Sequence, residues 1–193
     1  MNKAFNFLAA FLFTMTATGQ MLPYAIIPEQ PIEYTAATVT ARMIDGLGFR
    51  FYWATEGLSE QDYKFKPGDD ARTIGETISH IYGLTNMIKY ASLKKADDRE
   101  VYAEITIFEM RNEVLKTLKK SADIFRNANP KEMVEFNIIS KRGDKETVIP
   151  FWNAINGPLE DAVWHAGQIV TLRRMAGNPI NSKVNFFMGK RNN

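Results

Sequence analysis

With 193 residues, 45% of them hydrophobic and 24% charged, the chain has the size and make-up of one globular domain with a core of its own. A formal net charge of +2 is too small to mark a nucleic-acid or membrane surface, and no nucleic-acid partner is expected. Cysteine is absent, which excludes disulfides, thiolate metal ligands and a cysteine nucleophile.

Met1-Asn2-Lys3 is a short basic start, and Phe5 to Phe13 is almost wholly apolar. Ala17-Thr18-Gly19 then sets small residues where a signal peptidase reads. Residues 1–19 are expected to be a signal peptide, since the apolar run falls far short of the roughly 20 residues a membrane span needs. The mature chain is then exported, periplasmic or secreted, with no integral membrane span. Losing Lys3 leaves 23 basic against 22 acidic residues, a net of +1.

Residues 20–33, with Pro23, Pro28 and Pro31, read as an irregular lead-in to a domain over 34–180. Small or apolar residues recur at steps of three and four from Ala36 through Val39, Met43, Leu47, Phe51 and Ala54 to Leu58, which predicts a helix over 34–58. Gly46 and Gly48 weaken it locally, at about 1 kcal/mol each against alanine. Ser59 to Arg72 reads as a polar loop turning at Lys66-Pro67-Gly68. Thr73-Ile-Gly-Glu76 is a capping box and opens a second helix over 73–93, with His80 at the edge of its apolar stripe. A third helix over 103–128 follows Ile107, Met110, Val114, Leu118 and Phe125 and ends at Asn129-Pro130. Alternation at Val134, Phe136 and Ile138 predicts a β-hairpin over 133–149, turning at Arg142-Gly143-Asp144. That tripeptide resembles a cell-adhesion motif, but Gly and Asp serve a plain hairpin turn equally well.

The last helix is expected over 151–176. Gly157-Pro158 interrupts it, so it either kinks there or starts afresh with Asn156 as its cap. Gly177 suits a left-handed C-cap and Pro179 bars continuation. Arg173 and Arg174 close the last turn, and with Lys183, Lys190 and Arg191 they read as a solvated helix end and tail. In the tail, 181–193, Val184, Phe186 and Phe187 are expected to pack onto the domain or onto a second subunit. Four amphipathic helices and one hairpin make an all-α fold, a four-helix bundle.

Two histidines are present, His80 and His165, and Asp161 lies four residues before the second. That spacing puts carboxylate and imidazole on one helix face, one above the other. His80, Asp161 and His165 are thus candidate ligands of one divalent metal, with zinc, nickel, manganese and ferrous iron all admissible. Three protein ligands leave open positions, the catalytic rather than the structural pattern. Gln168, one turn after His165, can orient that ligand or a bound water, and Asn156 and Thr77 are further candidates for the pocket wall. The same spacing also suits hydrogen-bonded core histidines, with Asp161 capping its helix or pairing with an arginine.

A lone histidine at Ser79-His80, a hairpin before the last helix, and His165-Ala-Gly-Gln-Ile-Val-Thr-Leu-Arg-Arg-Met-Ala-Gly177 together resemble the DinB/YfiT-like superfamily over roughly residues 34–180. The resemblance implies a four-helix bundle of up-down-down-up order, a homodimer, and a metal held by one histidine of the second helix and a His-x₃-His pair of the last. His80 and His165 fall on two of those positions, and Asp161 stands where the third histidine would be. The loop Tyr63-Lys-Phe-Lys-Pro67 lacks the tryptophan usual there. The activities so implied are thiol-dependent S-transfer, in which a metal would hold a thiolate nucleophile, or metal-assisted hydrolysis. The alternative is a non-catalytic bundle that binds a small molecule or partner through a vestigial metal site.

Overall fold

The computed structural model describes residues 21–99, 102 and 104–193. The expected signal peptide lies outside them. Helix α1 (Ala36–Thr55) opens on a capping box in which Thr35 and Thr38 satisfy each other's amides. Gly48 lies against the Tyr24 ring of the lead-in, where a Cβ would come within 2.4 Å of ring carbons. The glycine that weakens the helix locally is therefore what lets the lead-in lie flat on it. A four-residue helix α2 (Glu60–Tyr63), capped by Ser59 and Asp62, sits inside the stretch read as loop. Helix α3 (Ile74–Ser92) begins at the Thr73–Glu76 capping box, as the sequence predicts. A three-residue strand β1 (Ala96–Asp98) follows. Helix α4 (Ile107–Arg126) starts later than expected because Thr106 and Glu109 form another capping box.

The predicted hairpin is right in kind and wrong at its start. Residues Pro130–Glu135 form a 3₁₀ turn capped by Asn129, in which Met133 is buried and Val134 is exposed. Met133 and Phe136 point inward at the i,i+3 spacing of such a turn, which over six residues imitates strand alternation. Strands β2 (Ile138–Arg142) and β3 (Lys145–Ile149) then pair antiparallel with Arg142 opposite Lys145. That register leaves Gly143-Asp144 as a two-residue turn, with Gly143 at φ 55°. β1 joins β2 in parallel, so the expected lone hairpin is the larger part of a three-stranded sheet.

The last helical region is broken in the middle. Helix α5 (Trp152–Ala154) runs into a π turn over Ile155–Leu159, where Gly157 leaves helical geometry (φ −85°, ψ −113°) next to Pro158. Helix α6 (Glu160–Met175) follows without a side-chain cap. Of the two readings of Gly157-Pro158, the kink is the one found: Asn156 is exposed and caps nothing. At the far end Gly177 is left-handed (φ 84°). Its amide bonds the Arg174 carbonyl and the Asn178 amide bonds that of Arg173, which closes the expected glycine cap.

The fold is mostly helical with two small sheets. α1 and α3 each pack against both α4 and α6, around one core that includes Ile44, Phe51, Ile78, Leu115, Leu118 and Ile169, all essentially inaccessible to solvent. Each such side chain contributes roughly 1.5–3 kcal/mol of burial. Phe125, Phe136 and Phe151 extend the core under the sheet with ring centroids 4.8–6.2 Å apart. No helix of the described residues is long and apolar enough to cross a membrane.

Arg173 is not the solvated residue that its place in a basic helix end suggests. It is 3% exposed, and its guanidinium donates to the Trp53 and Ala54 carbonyls at 2.9 and 3.0 Å and to the Asn178 carbonyl at 2.6 Å. From the other side Arg111 donates to Thr55 Oγ1 at 2.9 Å. Two arginines from two helices thus serve the C-terminal turn of α1, which has no basic residue of its own there. The tail turns back as a short ribbon, β4 (Val184–Asn185) against β5 (Lys190–Arg191). Phe186 packs edge-on against Phe49 at 5.7 Å, as expected of the tail, whereas Phe187 is fully exposed.

Candidate metal centre

α3 and α6 bring all three candidate ligands together. His80 projects from α3 one turn after Thr77, a buried residue whose hydroxyl donates to the Thr73 carbonyl at 2.8 Å. Asp161 and His165 come from the first two turns of α6. The break at Gly157-Pro158 sits just upstream and sets where that helix begins, so Asp161 falls in its first turn, where a carboxylate faces the positive end of the helix dipole.

Asp161 lies between the imidazoles. Its Oδ2 is 3.2 Å from His80 Nε2, and its Oδ1 is 3.3 Å from His165 Nε2. The imidazole rings stand 4.5 Å apart and nearly perpendicular. One ligand atom from each residue lies within 4.8 Å of the others. No arginine pairs with the Asp161 carboxylate among the described residues; its partners are the two histidines.

Gln168 does what its position one turn on suggests, for its carboxamide oxygen is 2.7 Å from His165 Nδ1. With the carboxamide placed this way round, Nδ1 carries the hydrogen. In the neutral ring Nε2 then presents a lone pair to Asp161 Oδ1 at 3.3 Å, and a proton or a metal ion between the two atoms relieves their repulsion. Donor atoms about 2.1 Å from a tetrahedral ion stand roughly 3.4 Å from one another. Each histidine Nε2 stands near that distance from a different Asp161 oxygen, and the donor set of two imidazoles and a carboxylate suits a divalent transition metal.

Two open grooves meet at this cluster. One, of about 670 Å³, runs along α6 past His165 and Gln168 and is closed on its far side by Pro67, Ala71 and Arg72, with Thr77 in its wall. The other, of about 620 Å³, holds Asp161 among Leu84, Met87 and Pro158, and Asn156 lines it. Thr77 and Asn156 thus line different grooves, one each. Trp164 borders both grooves and is 72% exposed, and the sequence reading passed over it. Its signal was at hand: it follows Asp161 by three residues, which places it beside that carboxylate on the helix surface. Comparison with protein-family models, with curated proteins and with solved structures finds no match to the chain.

Proposed function

We propose that His80, Asp161 and His165 hold one divalent transition metal, and that the chain is an exported metal-dependent hydrolase built on a DinB/YfiT-like four-helix bundle. The observation that carries the reading is the pair of Nε2 atoms converging on one carboxylate, with Gln168 holding His165 in the tautomer a metal requires. A metal held there would supply a Lewis acid able to bring the pKa of a bound water down towards neutrality. The chain's own residues do the rest. His80 and His165 would bind through Nε2, Asp161 would add the negative charge that favours a divalent ion, Gln168 fixes the imidazole, and Trp164 borders both grooves.

The bundle reading is supported by the packing of α1 and α3 on α4 and α6, and an up-down-down-up order by the long connections on either side of α4. A homodimer belongs to the same reading, and the fully exposed Phe187 is the sort of side chain a second subunit covers.

Elemental analysis of protein reconstituted with zinc, nickel, manganese or iron tests the centre. About one ion per chain is expected, falling to background in His80→Ala and in His165→Ala. Equal uptake by all three proteins overturns the site. Asp161→His gives a set of three histidines and is expected to tighten zinc or nickel binding; no change takes Asp161 away from the metal. Turnover of ester or amide substrates by the metal-loaded protein without added thiol is the hydrolase outcome. A strict requirement for a low-molecular-weight thiol reassigns the reaction to S-transfer.

A further inference from the structure

We propose that the groove beside His165 binds an anionic, partly apolar small molecule, a carboxylate or phosphate ester whose charged end meets Arg72 and whose apolar body lies along α6 against Trp164. Calling that molecule the substrate rests on the metal-centre reading; its binding does not.

Three features of the groove point to such a ligand. Gly167 and Gln168 lie three and four residues after Trp164, and Thr171 lies four and three after them, so the four share one face of α6, and all four are exposed. An exposed indole beside an open groove is a surface for an apolar or aromatic body. At Gly167 a Cβ would meet nothing within 4 Å, so the floor of the groove is open space against the helix backbone.

The charge at the far wall has one sign. Arg72 is exposed and makes no hydrogen bond or ion pair among the described residues, and no carboxylate lines this groove. Glu76, which feels the Arg72 charge, is already engaged with the Thr73 amide at 2.7 Å. A guanidinium without a hydrogen-bond partner, on a groove that no carboxylate lines, is a fork for a carboxylate or phosphate. Across the groove His165 faces the other end of the same ligand.

The test is calorimetric titration of the full-length mature protein, chelator-treated and zinc-supplemented, with 4-phenylbutyrate, phenyl phosphate and the uncharged 4-phenylbutanol. At least one of the two anions is expected to bind about tenfold or more tightly than the alcohol, and the tighter anion identifies the headgroup. Arg72→Gln is expected to erase that preference. Gly167→Leu fills the groove where nothing is displaced, so it should weaken the anion about tenfold or more without lowering the thermal midpoint. Equal affinity for anion and alcohol, undiminished binding in either variant, or no saturable binding of either anion overturns the proposal. Zinc stoichiometry on the same samples keeps the two readings apart. Anion binding without zinc uptake overturns the metal centre alone, and zinc uptake without anion binding overturns the groove alone.

Discussion

Asp62 is 8% exposed, and its carboxylate accepts hydrogen bonds from the Ser59 amide and hydroxyl, both at 2.8 Å, and from the Asn178 carboxamide at 2.9 Å. Burial alone would raise its pKa. The hydrogen bonds from Ser59 and Asn178, helped by the Arg173 charge, outweigh that and hold the carboxyl below the ordinary carboxylate range. A depressed folded-state pKa stabilises the fold fully above the unfolded value near 3.9, and the contribution is lost as pH falls through the folded value. Asp62→Asn should therefore cost roughly 1–2 kcal/mol at neutral pH, the worth of charge-assisted hydrogen bonds. Urea midpoints of the two proteins should converge as the pH drops below about 4. A gap that stays constant down to acid removes the carboxylate's charge from the explanation. At this scale the sequence is informative where chemistry is local: Asp161 and His165 are one helical turn apart, and Gln168 is the next residue on that face. It is silent on Arg72 and Gly167, whose part in the groove exists only because the loop through Pro67 folds over α6.

Among elements, the long helices α1 and α4 are legible because a period of 3.6 sustained over 20 residues is hard to imitate, whereas α6 is marked by its end signals, Gly177 and Pro179. The short pieces are not. α2 has four residues, β1 has three, and the 3₁₀ turn at Pro130–Glu135 spans six, too few for any period to declare itself. The break before α6 was visible in Gly157-Pro158, but its resolution as a π turn depends on what the two flanking helical pieces pack against. Arg173 is the clearest case of an element completed from outside, because its partners are backbone carbonyls of a different helix, which no charge pattern encodes. Replacing it with methionine keeps much of the bulk and removes the donors. Arg173→Met is expected to cost about 2–3 kcal/mol by leaving the α1 carbonyls buried and short of partners. Chemical denaturation measures it, and a loss under about 0.5 kcal/mol, the range of an ordinary surface change, returns Arg173 to the status of a solvated helix end.

For the whole molecule, the lead-in is fastened to the fold from its first turns. The Tyr24 hydroxyl donates to buried Asp45 at 3.1 Å, Trp53 Nε1 donates to the Ala25 carbonyl at 3.2 Å, and the Ile27 amide reaches the Gly189 carbonyl at 2.8 Å. N-terminal sequencing of the natively produced protein is expected to begin at or near Gln20, and an intact Met1 in a soluble cytoplasmic fraction overturns the export reading. The mostly helical make-up was legible in the sequence, whereas the joining of lead-in to tail was not, since it rests on a contact between Ile27 and Gly189, residues far apart in the chain.

The late arrival of Arg173 has a kinetic side. The donors that finish α1 come from 119 and 120 residues further along the chain. At roughly 5–20 residues per second, synthesis reaches them about 6–24 s after the helix they complete. An isolated helix equilibrates in about a microsecond, so α1 samples frayed and formed states countless times before its end is closed. The backbone carbonyls at the end of α1 therefore lack their Arg173 donors until all but about the last 20 residues have been synthesised.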